Sequence, residues 1–351
     1  MELKELMIEL TEASGVSGYE TEVAEIIKKR FAKYVDEIKT DALGNVICIK
    51  RGKAGKDKRL MLAAHMDEIG LMVTKIDEKG FVKFTNVGGI DQRTLLGQEI
   101  IIHGQEKIFG VIGAKPPHLT TTEERKNSLK MEDLTIDVGL DKDQVEKLIK
   151  IGDIITIKRD LNFLLNDRVA GKALDDRAGI ASLYICLKEL QSFQHDLDVY
   201  CVATAQEEVG TRGAITSTYG INPHIGVAID VGFGFTPDLN KFDTIEIDKG
   251  PAIATGVNIH PNVFNKLRQA AKKAYIDYQI EIAPAPTGTD ARSMQISRDG
   301  VATGLLSIPL RYMHTSVETI SLADIEKTGE LLAKFIMELN GVDMEGFLSW
   351  C

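Results

Sequence analysis

Four largely apolar runs in this chain lead directly into histidine, aspartate or glutamate. Leu60-Met61-Leu62-Ala63-Ala64 passes into His65-Met66-Asp67-Glu68, and Val199 to Ala205 into Gln206-Glu207-Glu208. Ile225 to Ile229 ends at Asp230, and the run at 301–308 continues through Pro309 to Met313 and reaches His314. A strand that is apolar on successive residues is buried on both faces, so these runs belong at the centre of a covered sheet. Helical segments expected near 177–190, 261–274, 289–297 and 322–338 follow or separate them. That alternation predicts an α/β fold, a mixed sheet with helices on both faces. In such sheets ligands bind beyond the carboxyl ends of the strands, which places the four run ends on one rim.

A chain of 351 residues suggests two domains, at about 150 residues each. From Ile69 to about Arg159 short β-type runs replace the alternation: Gly70 to Ile76, Phe81 to Thr85, Glu99 to His103, Ile108 to Ile112 and Ile154 to Ile157. Gly, Asp and Asn separate most of them, as in a small all-β module. The expected division is an α/β domain of residues 1–68 and 163–351 interrupted by a β-rich, barrel-like insert at 69–162. Within the insert Leu119 to Met131 is polar and charged and is expected as a loop, with an active-site flap or an assembly arm as its functional alternatives. Two amphipathic helices are expected ahead of the sheet, one carrying Leu3, Leu6, Met7 and Leu10, the other running from Glu20 to Ala32.

Composition narrows the function. Lys plus Arg number 42 against 52 Asp plus Glu, a net charge of −10 with no basic block. A phosphate-tracking surface does not fit that balance, so no nucleic-acid partner is expected. No apolar run reaches the roughly 18 residues a membrane-spanning helix needs, and the charged start at Met1 to Leu6 lacks a signal peptide's apolar stretch. Cys48, Cys186, Cys201 and Cys351 form no CxxC pair, which argues against a disulfide framework and a thiolate zinc site. A cytoplasmic protein is expected.

The acids and imidazoles at the rim carry the chemistry. Lys172-Ala173-Leu174-Asp175-Asp176-Arg177-Ala178-Gly179 adds two adjacent carboxylates at a helix start. Singly, each piece has an ordinary explanation: a helix cap for the aspartates, a solvated strand exit for the glutamates. Together they crowd negative charge that needs a cation. His and carboxylate without Cys suit Zn²⁺, Co²⁺ or Mn²⁺. Two histidines and several acids exceed one tetrahedral site, and a bridging carboxylate between two ions uses them economically. A free carboxylate beside the attacking water would move its proton. Spacing alone does not choose Glu207 over Glu208, or Asp175 over Asp176.

His65-Met66-Asp67-Glu68-Ile69-Gly70, the 172–179 stretch, Gln206 to Ala214, Gly288-Thr289-Asp290-Ala291 and Arg311-Tyr312-Met313-His314 together resemble the M42 family of metallo-aminopeptidases. Gly15-Val16-Ser17-Gly18 and Lys115-Pro116-Pro117-His118 extend the resemblance to nearly the whole chain. It implies an α/β/α catalytic domain with an inserted dimerisation domain, two divalent ions per subunit (Zn²⁺ or Co²⁺), and removal of single residues from the free N-termini of short peptides. By the resemblance His65, Asp175 and Glu208 hold one ion, and Asp175, Asp230 and His314 the other. Glu207 is then the general base acting on a bridging water, and Asp67 orients His65. The resemblance also implies self-association into dimers and tetrahedral dodecamers. Phe233 and Phe235 beside Asp230 point to neutral apolar N-terminal residues. Two rival readings are a glycoside hydrolase using paired carboxylates, since some relatives carry a cellulase label, and a non-catalytic assembly protein on the same fold.

Overall fold

The computed structural model describes residues 1–54, 58–121 and 130–350. Along the chain lie β1 (Glu37–Thr40), β2 (Val46–Lys50) and β3 (Arg59–His65). Next come β4 (Gly70–Ile76), β5 (Val82–Val87), β6 (Glu99–His103), β7 (Lys107–Ile112), β8 (Ile136–Asp137) and β9 (Ile154–Ile157). The rest are β10 (Asn162–Phe163), β11 (Arg168–Gly171), β12 (Asp198–Thr204), β13 (Ile225–Phe233), β14 (Ala252–Gly256), β15 (Gln279–Ala283), β16 (Ala302–Arg311) and β17 (Glu318–Ser321).

The main sheet runs β1-β2-β12-β3-β13-β16-β17-β11-β10, with β14 and β15 branching from β16. Its centre, β12-β3-β13-β16, is parallel throughout, so four carboxyl ends share one edge. Side-chain alternation explains why these strands read as continuous apolar runs. Leu60, Leu62 and Ala64 of β3 enter one core, while Met61 and Ala63 enter the core on the other face. Helices Glu2–Glu12, Thr21–Phe31, Leu174–Glu189 and Leu322–Glu338 cover the first face through Leu10, Ile27, Leu183 and Phe335. Helices Arg212–Ile221 and Asp290–Gln295 cover the second through Ala214 and Met294.

The strands β4-β5-β8-β7-β6-β9 close into a separate barrel. Alternation is clearest on β7, where Ile108 and Ile112 are buried while Phe109 and Val111 are exposed. Helix Lys142–Leu148 plugs the barrel core with Val145. It starts with a capping box in which Asp141 and Gln144 satisfy each other's backbone N–H groups.

One expectation is corrected. The strand expected to stop at Ile229 runs on to Phe233, because β16 keeps pairing with it as far as Leu310. Asp230 therefore lies inside a strand. Helix Arg212–Ile221 and strands β14, β15 and β17 were not anticipated from the sequence, where their signatures are weak. Of the loop expected at Leu119 to Met131, residues 122–129 lie outside the described residues.

Candidate functional site

Strand register builds the floor of the site. Thr204 of β12 pairs with His65 of β3, and Asp230 of β13 with Ser307 of β16. The β13–β3 register, Ile225 with Leu60 through Ala228 with Ala63, continued by two residues sets Asp230 beside His65. Thr204, His65, Asp230 and Ser307 thus form a polar row across four parallel strands, on the face that carries Met61, Ala228 and Leu305. Asp175, at the start of helix Leu174–Glu189, reaches over this row. Its Oδ1 lies 2.9 Å from His65 Nε2, and its Oδ2 lies 3.4 Å from His314 Nε2. His314 Nε2 is also 3.3 Å from Glu208 Oε1.

Two donor groups result: His65, Asp175 and Asp230, and Asp175, Glu208 and His314, each with its ligand atoms within 4.8 Å of one another. All five residues expected as ligands converge, but they divide differently from the grouping the resemblance implies. Register is the reason. His65 and Asp230 sit side by side on neighbouring strands, deep in the sheet, whereas Glu208 and His314 hang from loops beyond the strand ends and meet above it.

The structure also separates the paired acids. Asp176 belongs to neither group: its Oδ1 caps the helix, accepting from Gly179 N at 2.9 Å, and its Oδ2 accepts from His65 N at 3.3 Å. Glu208 faces His314, while Glu207 lines the cavity over the row. Asp67 Oδ1 accepts from Glu207 N at 2.9 Å, and Asp67 Oδ2 accepts from Glu208 N at 3.1 Å and from Ser17 Oγ at 2.5 Å. The Asp67 carbonyl, 3.1 Å from His65 Nδ1, takes that ring's N–H when Nε2 offers its lone pair.

Burial and crowding set the charges. Burial above all pushes the Glu207 carboxyl up to about 9, with Asp230, Asp290 and Glu208 adding to the rise and His65 opposing it. Asp230 is also raised, by burial and then by Asp175 against the pull of His65. Asp175 is the exception: burial would raise it, but hydrogen bonds with His314 and His65 hold it well below the usual range. Burial pulls the imidazoles down, and their carboxylate partners more than reverse that, taking His314 up to about 11. Carboxylates that cannot all ionise and imidazoles that hold protons for them mark a cluster short of positive charge. Its oxygen and nitrogen donors, with no sulfur, are those divalent cations such as Zn²⁺ accept.

Three contributors were not singled out as site residues from the sequence. Glu318 accepts from His314 N at 2.8 Å and from Asp175 N at 3.1 Å, so one buried carboxylate fixes the backbone of both. Its place four residues after His314 was the available signal. Asp290, buried and bonded to Thr204 Oγ1 at 2.6 Å, lies behind the row. Gly89, from the loop after β5, brings the barrel against the site: a Cβ there would stand 2.9 Å from His314 Nδ1. Ala173, Gln206 and His314 all adopt left-handed backbone without being glycine. Such strain gathers where loops must aim side chains.

A cavity of about 670 Å³ opens over the row, walled by the 281–289 segment, Phe233, Leu305 and Met313. Phe233 lines it, whereas Phe235, expected beside it, is not on the wall.

The sequence matches the M42 glutamyl aminopeptidase family over residues 44–331. It is 38% identical to the lysyl aminopeptidase of Pyrococcus furiosus across 97% of this chain and 98% of that one. A TET aminopeptidase from the marine sediment archaeon Thaumarchaeota archaeon SCGC AB-539-E09 superposes with a TM-score of 0.93 at 32% identity, covering 99% of both chains. The Pyrococcus horikoshii TET1 peptidase, which can assemble into a tetrahedron or a large octahedral shell, superposes with a TM-score of 0.84 at 34% identity over 95% of this chain and 99% of that one. The mixed sheet, the separate barrel and this agreement along nearly the whole length place the chain in the M42 family of aminopeptidases, and it is a hydrolase.

Proposed function

We propose that this enzyme removes single residues from the free N-termini of short peptides at a centre of two divalent cations, Zn²⁺ or Co²⁺. His65, Asp175 and Asp230 would hold one cation and Asp175, Glu208 and His314 the other. The observation that carries this reading is Asp175, whose two carboxylate oxygens face the two histidines from opposite groups. Bound cations of this kind polarise a carbonyl and lower the pKa of water. Glu207, half-buried in the cavity wall and with no side-chain hydrogen bond among the described residues, takes the proton of the attacking water at its carboxylate and returns it to the leaving amine. Glu207 would be held in its ionised form by positive charge at these sites, against the burial and neighbouring carboxylates that raise it. Asp67 fixes the Glu207–Glu208 backbone and the His65 ring, so base and ligands keep one spacing.

A peptide with a free N-terminus is expected to lose its first residue, and the same peptide acetylated there to resist. Comparable hydrolysis of the two, followed by mass spectrometry, would refute exopeptidase action. A glycoside hydrolase would keep its activity after chelation, because two carboxylates suffice for that chemistry. Phe233 is also the one phenyl, phenol or indole ring on the cavity wall among the described residues, which is poor provision for a sugar.

We place this enzyme in the cytoplasm; no helix among the described residues is long and apolar enough to cross a membrane. We further infer that the barrel, as the insert at 69–162, pairs one subunit with another and supports a tetrahedral dodecamer. Its outward Phe109 and Val111 on β7 and the shells formed by the P. horikoshii relative support this. Light scattering should give a mass of twelve chains for the cation-loaded protein. A monomer fully active on short peptides would overturn the assembly while leaving the chemistry intact.

A further inference from the structure

The cavity over the row contains one carboxylate that the proposed mechanism does not use. Glu281 sits on the edge strand β15, where its neighbours Ile280 and Ile282 face outward and are 44% and 77% exposed. Glu281 points the other way, into the wall of the cavity. Its Oε2 accepts from Ser307 Oγ at 2.5 Å, and among the described residues nothing pairs with its Oε1. Ser307 is the register partner of Asp230, so Glu281 reaches the cavity at the strand next to the one that carries Asp230. Leu305, Ala283 and Met313 line the same cavity with apolar surface. An apolar wall ending in a carboxylate suits a methylene stem with a cationic head.

We propose that Glu281 selects a basic residue, lysine or arginine, at the substrate's N-terminus, its Oε1 accepting from the ammonium or guanidinium. This inference rests on the aminopeptidase reading and adds the side chain that reading leaves open. It also replaces the preference for neutral apolar residues drawn from Phe233 and Phe235. Burial raises the Glu281 carboxyl, with Ser307 opposing, and a cation brought against it restores the charged form. Arg292 is on the cavity too, but it is exposed and makes no ion pair with Glu281. Solvent screens it, so it neither neutralises Glu281 nor matches it as a buried partner for an acidic residue.

The test uses the cation-loaded enzyme with lysyl, norleucyl and glutamyl p-nitroanilides. Norleucine has the lysine stem without the ammonium. The expected kcat/KM for lysyl exceeds that for norleucyl at least about tenfold, with glutamyl the poorest. Glu281→Gln should cut the lysyl-to-norleucyl ratio at least about tenfold, chiefly through KM, and Glu281→Asp should restore part of it. A wild-type ratio near or below one, a glutamyl preference, or a ratio that survives Glu281→Gln would overturn the proposal. Cleavage of none of the three would count against the aminopeptidase reading instead. In that case thermal shifts with free L-lysine and L-norleucine still decide the inference: a larger shift with lysine, lost in Glu281→Gln, supports it, and equal shifts refute it.

Discussion

Replacing Glu207 with glutamine is expected to lower kcat by about 10³-fold, within the range typical of a lost general base. The amide fills the same volume at the cavity wall but neither takes nor returns a proton. KM should change little, because Glu207 is not among the groups that face His65 or His314. Cation content should also stay at the wild-type level, since the two donor groups consist of other residues. Glu208→Gln provides the contrast. It removes a charged donor 3.3 Å from His314, so activity and cation content should fall together and excess metal should restore part of the activity. Near-wild-type kcat for Glu207→Gln with cations bound would refute its assignment as the base.

Glu68→Ala is expected to destabilise the fold by about 3–5 kcal/mol, the usual effect of stranding buried charge. The Glu68 carboxylate lies 2.8 Å from Lys172 Nζ and 3.8 Å from Arg177 Nη2, and both cations are buried. It also accepts from Gly15 N at 3.0 Å, fastening the 13–18 segment to the strand end beside His65. Burial lowers Lys172 and Arg177, with Glu68 as the main opposing influence. Without Glu68, Lys172 can shed its proton, but a guanidinium does not, and Arg177 Nε already lacks a partner. The melting temperature should fall by about 4–7 °C. Adding Lys172→Met to Glu68→Ala should recover part of the loss, because it removes one of the stranded cations. A drop of less than about 1 °C would show that the network contributes little.

Much of this site could be read from the amino acids, for physical reasons that also mark where the reading stopped. Strands buried on both faces announce themselves as apolar runs, so the four parallel strands and their shared rim were visible at Leu60, Val199, Ile225 and Val301. The grouping of the five side chains into two donor sets was not. It depends on which strands are neighbours, and only the order β12-β3-β13-β16 puts Asp230 beside His65. Adjacent acids such as Asp175 and Asp176 are equivalent in a sequence and become distinct once a backbone N–H, that of Gly179, claims one of them. Glu281 is the opposite of what alternation suggests. On an edge strand, the alternation in Gln279-Ile280-Glu281-Ile282 would put the glutamate in solvent, yet the isoleucines face out. On the inner face Ser307 supplies the glutamate with a hydrogen bond.

We propose that Asp175 joins two cation sites into one catalytic centre. The most direct test is to strip the protein with a chelator and titrate it with Co²⁺, following bound metal, the visible absorption of the cobalt, and hydrolysis of an aminoacyl p-nitroanilide. Two ions per chain are predicted, with full activity reached only as the second binds. His65→Ala and His314→Ala should each lower the stoichiometry toward one, and Asp175→Ala should abolish binding at both sites. Full activity in the stripped protein, or saturation of activity at a single ion per chain, would contradict a two-cation centre shared through Asp175.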